Sequence, residues 1–360
     1  RAGGDRVPPA EEASAGGDPM PPAEPMLPVE TPSPPAEAGG PGLPHGLPGA
    51  ADLPTLDDLS PEAATASTAP TSDGEVTENQ PQEAPVPAPA PEVETAPASS
   101  FARPLPRVMA VANQKGGVGK TTTAVNLGAC LADLGYRVLV VDLDPQGNAS
   151  TGLGINIRDL HGSMYDVILH DLPIEDCVEA TSVRNLFCAP SSLDLAGAEI
   201  ELVPAFSREL RLRRALEEVS DDYDFVLIDC PPSLSMLTLN GLCCAHGVII
   251  PMQCEYYALE GLSDLVNTIK KVHANLNREL KIIGLLRVMF DPRVTLQQQV
   301  SAQLEGHFGD KVIRTIVPRN VRLAEAPSHG IPGVVYDKAA KGAQAYMAFA
   351  HEMIERAKTF

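Results

Sequence analysis

The sequence predicts an α/β fold, a mostly parallel β-sheet with helices on both faces, preceded by a disordered N-terminal extension. Three observations carry this. Short apolar runs alternate with longer segments of helical character through the last 260 or so residues. The runs lack polar alternation, as expected for strands covered on both faces. Between the first run and the first helical segment lies Asn113-Gln114-Lys115-Gly116-Gly117-Val118-Gly119-Lys120-Thr121-Thr122. Strand, glycine-rich loop and helix in that order are the context of a P-loop NTPase-type sheet.

The extension is read from composition. Residues 1–100 hold 22 of the 35 prolines and 17 of the 47 acidic residues, but only Arg1 and Arg6 of the 27 basic ones. Two positive against seventeen negative charges leave −15 there and −5 for the remainder. The segment has no Phe, Tyr or Trp, so it cannot bury enough apolar surface to offset the entropy of ordering. It also lacks the charged and apolar regions of a secretory signal. The expected organisation is a Pro/Ala/Glu-rich acidic extension over 1–104 and one α/β domain over 105–360.

Elements follow in order along that domain. Strands are expected at 108–112, 138–141, 186–189, 225–228, 248–250, 282–288 and 313–317, each a short apolar run. Helices are expected at 120–134, 207–219, 259–276, 296–307 and 339–357. In the last of these, Ala343, Tyr346, Met347, Ala350, Met353 and Ile354 fall on one face, a stripe suited to core packing. Ligands on such a sheet bind at the carboxyl ends of the strands. The seven cysteines are odd in number and contain no C-x-x-C pair, which suits reduced thiols in the cytoplasm. No apolar run reaches the length of a membrane span.

The glycines of the loop let backbone N–H groups turn inward around phosphate oxygens, and the helix N-terminus adds unpaired donors. Lys120 can then reach the terminal phosphates, and the Thr121 hydroxyl can hold Mg²⁺. The loop departs from the general pattern: Gln114 stands where a first glycine is usual, and a second lysine, Lys115, precedes Gly116-Gly117. Two later runs end in acid. Phe225-Val226-Leu227-Ile228-Asp229 has the form of a strand whose final carboxylate holds the metal through water. Val138-Leu139-Val140-Val141-Asp142-Leu143-Asp144 offers a carboxylate to orient an attacking water, and spacing alone does not choose between Asp142 and Asp144.

Together these residues resemble the ParA family of chromosome- and plasmid-partitioning ATPases, more closely its Soj-like branch. The resemblance covers about Val108 to the C-terminus. It rests on Lys115 to Thr122, Asp142-Leu143-Asp144-Pro145-Gln146-Gly147-Asn148, and Leu195 to Leu202. It continues in Asp229-Cys230-Pro231-Pro232-Ser233, Gln253 to Gly261, Pro318 to Ser328 and Gly342 to Tyr346. It implies a deviant Walker A loop in which Lys115 reaches across an ATP-bound dimer to the partner's nucleotide. It implies that Asp144 activates water, that Lys115, Lys120 and Asp144 are catalytic, and that Thr121 and Asp229 hold Mg²⁺. The ATP contacts it implies are Lys115, Gly116, Gly117, Val118, Gly119, Lys120, Thr121 and Thr122, with Pro318 and Asn320 at the adenine. Arg293 and Arg322 match positions for non-specific DNA binding. Two departures, Asp291-Pro292-Arg293-Val294 and Lys338-Ala339-Ala340-Lys341-Gly342, fall near that DNA surface.

The expected function is therefore a cytoplasmic, nucleoid-associated ATPase using ATP and Mg²⁺. It would form a homodimer on ATP, bind DNA without sequence preference and be reset by a ParB-type centromere-binding protein. The rival is a MinD-like ATPase that switches onto membranes. That would need a basic amphipathic C-terminal helix, whereas Ala350 to Phe360 carries two basic residues against two glutamates.

Overall fold

The computed structural model describes residues 107–357. The extension expected over 1–104 lies outside the described residues. In chain order the elements are β1 (Val108–Val111), α1 (Lys120–Asp133), β2 (Val138–Asp142), α2 (Asn148–Gly152), α3 (Met164–His170), β3 (Glu179–Ala180) and β4 (Leu186–Ala189). Then come α4 (Ala198–Glu201), α5 (Arg211–Glu217), β5 (Phe225–Asp229), α6 (Met236–Cys244), β6 (Gly247–Met252), α7 (Ala258–Asn275) and β7 (Lys281–Phe290). The chain finishes with α8 (Thr295–Phe308), β8 (Val312–Pro318), α9 (Val321–Glu325), α10 (Gly333–Tyr336) and α11 (Lys341–Ala357).

The strands form one sheet in the order β3-β4-β2-β5-β1-β6-β7-β8. Every neighbouring pair runs parallel except β3–β4. Side chains of each strand point alternately to two separate apolar cores. Val108 and Ala110 of β1 join one core with Leu237 of α6, Leu265 of α7 and Val300 of α8. Met109 and Val111 join the other with Leu127 and Leu131 of α1 and Tyr346 and Phe349 of α11. The stripe on α11 is thus core, and the Tyr346 hydroxyl meets Thr123 Oγ1 of α1 at 3.0 Å. Six of the seven cysteines are buried and Cys244 is half-buried, all as free thiols. Burial pushes Cys130 and Cys177 up to about 12, so they stay protonated.

All seven expected strands are present. Several elements were not foreseen, among them β3, α6 and the short helices α2, α3, α4, α9 and α10. β3 has only two residues, too few for any periodicity. α6, Met-Leu-Thr-Leu-Asn-Gly-Leu-Cys-Cys, is apolar nearly all round and shows no helical stripe. The expected 207–219 helix is a short 3₁₀ turn, Arg208–Leu210, leading into α5.

Topology places the site. α1, leading from β1 to β2, packs on one face, and α6, leading from β5 to β6, packs on the other. The connections therefore diverge beside β1, and the crevice outside the strand ends opens there. In register, Val111 lies beside Asp229, and Asp229 beside Asp142. Three sequence-distant strand ends become neighbours.

Candidate active site

The loop leaves β1 at Val111 and enters α1 at Lys120. Gly117 and Gly119 take left-handed conformations, φ 73° and 76°, which a side chain would strain. A Cβ placed on Gly116 or Gly117 would stand in open space, so bare backbone borders the opening. Asn113 Nδ2 donates to the Pro251 carbonyl at 2.8 Å, and Gln253 Nε2 donates to the Gly117 carbonyl at 3.1 Å, stitching the loop to β6 and the turn after it. Gly119 caps α1 without a side-chain hydrogen bond, and the first helical bond is Thr123 N to the Gly119 carbonyl at 2.9 Å. The amides of Lys120, Thr121 and Thr122 are left for a ligand, at the positive end of the helix dipole.

These residues line a cleft of about 540 Å³. Gly116, Gly117, Gly119, Lys120, Thr121 and Thr122 form its floor, and Asp144 stands at one side. Lys120 is buried, and its Nζ donates to the Lys115 carbonyl at 3.2 Å. Burial lowers its pKa, opposed by Asp229 and then Asp144.

Asp229 lies beneath, fully buried, with neither carboxylate oxygen in a hydrogen bond of ordinary geometry. Burial and then the neighbouring Asp142 raise its pKa well above the usual carboxylate range, and the Thr121 side chain counteracts. An orphaned buried carboxylate beside a threonine hydroxyl suits a hydrated divalent cation, which keeps several waters and takes few protein ligands.

The two aspartates at the end of β2 part company because the strand ends at Asp142. Asp142 is fully buried; it accepts from Asp144 N at 3.1 Å, Ser150 N at 2.8 Å and Ser150 Oγ at 2.7 Å. Burial raises it to about 6 despite those bonds. Asp144 lines the cleft, and its Oδ1 accepts from Gln146 N at 3.0 Å.

Other expected residues fall elsewhere. Lys115 is exposed and turned to Glu255. The Val118 side chain is buried in the core, leaving only its backbone to the loop. Pro318 ends β8, and Asn320 caps α9 by accepting from Leu323 N at 3.2 Å; neither lines the cleft. The wall opposite the loop is instead built by Leu323, Ala326, Pro327, Ile331, Pro332 and Gly333. Arg293 and Arg322 lie on the surface, the first paired with Asp291 at 2.7 Å and the second with Glu325 at 2.9 Å.

A family model described as an AAA domain matches residues 106–282. The chain is 55% identical over 247 residues to the sporulation initiation inhibitor protein Soj of Bacillus subtilis, covering 69% of this chain and 98% of that protein. It is 52% identical over 250 residues to the chromosome-partitioning ATPase Soj of Treponema pallidum, covering 69% and 98%. The chain belongs to the Soj/ParA family of chromosome-partitioning ATPases. Its fold also matches a Mycobacterium smegmatis structure described as cobyrinic acid a,c-diamide synthase with bound ATP analogue and magnesium. The TM-score there is 0.62 at 40% identity, over 70% of this chain and 96% of that one.

Within this Soj/ParA chain, sequence reasoning missed Asn126 and Ser150. Asn126 donates to the Thr122 carbonyl at 2.8 Å and accepts from Gly333 N at 2.8 Å, pinning the far wall to α1. A polar residue on the apolar side of α1 was the available signal. Ser150 carried none, since its role exists only opposite Asp142.

Proposed function

We propose that residues 105–360 form one ATPase domain that binds ATP with Mg²⁺, dimerises on ATP, binds DNA without sequence preference and is reset when a ParB-type partner stimulates hydrolysis. The observation that carries this is the convergence of Lys120, Thr121 and Asp144 on one cleft above the unpartnered carboxylate of Asp229.

The roles follow from placement. The loop amides and Lys120 hold the phosphates and stabilise charge as it develops on the transferred phosphoryl group. Thr121 and Asp229 would hold Mg²⁺, which when bound would neutralise phosphate charge. Asp144, fixed by Gln146 N, orients a water for in-line attack on the γ-phosphorus. Lys115 would serve a partner subunit's nucleotide, a reading supported by its exposure and its pairing with Glu255. Leu323, Ala326 and Pro327 offer an apolar wall to the base, while Pro318 and Asn320 act behind it by setting the start of α9.

DNA binding would rest on Arg293 and Arg322, doubled by the dimer. Net charge of −5 over the folded part keeps that surface local. The membrane-switching alternative lacks support: α11 directs Tyr346, Phe349, Ala350 and Met353 into the core. Among the described residues no helix is long and apolar enough to cross a membrane.

The deciding experiment is co-sedimentation of the full chain with random duplex DNA and with anionic liposomes, each with and without ATP. ATP-dependent pelleting with DNA alone supports the partitioning reading. ATP-dependent pelleting with liposomes alone overturns it.

A further inference from the structure

The turn after α9 and the end of α2 meet backbone to backbone. The 3₁₀ turn Ala326–His329 closes at Gly330, and α2 ends just before Gly154. Both glycines are left-handed, φ 64° at Gly330 and 83° at Gly154. A Cβ on Gly154 would stand 2.8 Å from the Gly330 carbonyl oxygen. One on Gly330 would stand 3.0 Å from the Gly154 Cα and 3.6 Å from the Thr151 carbonyl oxygen. Even a favourable C–H···O contact keeps carbon about 3.3–3.6 Å from oxygen. A side chain at either position therefore forces the two segments apart, and glycine serves both the backbone conformation and the close approach.

Each side of this contact leads to the cleft. On the α2 side, Gly154 N donates to the Thr151 carbonyl at 3.0 Å. Thr151 donates to the Gly147 carbonyl twice, from N at 2.9 Å and from Oγ1 at 2.8 Å. Gly147 N donates to the Asp144 carbonyl at 2.9 Å. A continuous run of local hydrogen bonds thus joins Gly154 to Asp144. On the other side, Ala326, Pro327, Ile331 and Pro332 line the cleft. Gly333 N is held by Asn126 Oδ1 at 2.8 Å, and Asn126 belongs to α1, whose first residues carry the free amides of the phosphate loop.

The wall is therefore tied at Gly333 to the phosphate cradle and braced at Gly330 against the segment that carries Asp144. Parting the segments at Gly330 displaces α2, and the turn from Asp144 to Gly147 moves with it. The phosphates are held by the loop amides and Lys120, none of which lies on α2. Such a displacement should slow attack by water and spare nucleotide binding.

We propose that Gly154 and Gly330 are positioning residues for ATP hydrolysis: their contact sets the spacing of α2 from the cleft wall and so places Asp144, a role that rests on the reading of Asp144 as the residue that orients water.

The test uses the full chain and asparagine, which enters the left-handed region more readily than other side chains but brings a Cβ. Gly154→Asn, Gly330→Asn and the double variant are compared with Gly135→Asn. Gly135 is also left-handed, φ 99°, but a Cβ there meets open space. Hydrolysis at saturating ATP and Mg²⁺ gives kcat, and titration with a fluorescent ATP analogue gives affinity. Gly154→Asn and Gly330→Asn should each lower kcat about tenfold or more, the scale of a sub-ångström misplacement of a reacting group, with affinity unchanged. Gly135→Asn should keep both. The double variant should be no slower than the slower single, because once one Cβ has parted the segments the second meets nothing. Thr151→Val, which loses the Oγ1 bond to Gly147 without touching the glycines, should also lower kcat at unchanged affinity; it decides the question if the glycine variants do not fold. Wild-type kcat in the folded variants overturns the proposal. Equal slowing in Gly135→Asn, affinity lost in step with kcat, or slowing that multiplies in the double variant overturns it too, assigning the glycines to general stability. Asp144→Ala is measured alongside. Normal turnover there overturns the reading of Asp144 and this role with it, whereas slow Asp144→Ala beside normal glycine variants overturns this role alone.

Discussion

The Lys115 ammonium lies 2.5 Å from Glu255 Oε2, so the lysine that distinguishes this loop is held by the turn after β6 and not by its own phosphate cradle. Both side chains are nearly half exposed. Exposed pairs contribute only about 0–1 kcal/mol, so this one is readily exchanged for a stronger anion. Lys115→Ala is expected to keep monomeric ATP binding and lose the ATP-dependent dimer. Glu255→Gln should leave the melting temperature within about a degree of wild type and let the dimer form at equal or lower protein concentration. Light scattering against concentration, with and without ATP, checks both. A normal dimer in Lys115→Ala removes the trans role.

Lys120→Ala should abolish tight ATP binding, because the buried ammonium beneath the loop is the main cation available to the phosphates. Titration with a fluorescent ATP analogue reads this directly. Near-wild-type affinity would refute the assignment of the cradle.

Asp144→Ala should retain ATP and Mg²⁺ but hydrolyse at least about a hundredfold more slowly, the typical scale for losing a group that handles the proton or water. A long-lived dimer on size exclusion with ATP is the expected sign. Normal turnover would shift the role away from Asp144. Asp142 could not simply inherit it, since its carboxylate is fully buried and accepts from Ser150 and Asp144 N.

Asp229→Asn should raise the melting temperature of the nucleotide-free protein at pH 7.5 while removing Mg²⁺-dependent turnover. The folded state raises the Asp229 pKa through burial and Asp142. A raised acid stabilises the fold below its unfolded pKa, and that contribution is lost as pH rises through the folded value. The variant's advantage should therefore shrink as the pH is lowered towards 4. Its size should be about 1–3 kcal/mol, the cost of an unsatisfied buried polar group. An unchanged melting curve across this range would contradict it.

Arg293→Glu and Arg322→Glu should each weaken DNA binding and leave dimerisation intact. Each arginine already neutralises a neighbour, and the Arg293 pair holds the Asp291 carboxyl down to about 2. Substitution therefore exposes that carboxylate as well as adding one. The log–log salt slope should become shallower by roughly 0.9 per lost phosphate contact, without dependence on DNA sequence. Binding of Asp144→Ala backgrounds to random duplexes over a salt series checks this. Unchanged slopes in both would place the DNA surface elsewhere.

Much of this was legible from local pattern. Most of the seven expected strands are short apolar runs, and burial on both faces makes such runs conspicuous, as in β2 and β5. The loop was legible because phosphate chemistry demands Gly116-Gly117 and Gly119-Lys120-Thr121 in immediate succession. The short helices were not, because α2, α4 and α10 span about one turn each and owe their helicity to packing rather than to propensity.

The sequence by itself determined the fold class, the phosphate loop and the acidic strand ends, since each depends on neighbours within a few residues. Only the tertiary structure decided where each acid lies. β2 stops at Asp142, so that carboxylate is turned to Ser150 and Asp144 is carried on into the cleft. It also placed Leu323, Ala326, Pro327, Ile331, Pro332 and Gly333 along the cleft. Those choices depend on β5 lying between β1 and β2 and on Asn126 reaching Gly333, contacts between residues far apart in the chain. Long-range register is set by the packing of whole layers, and no local pattern encodes it.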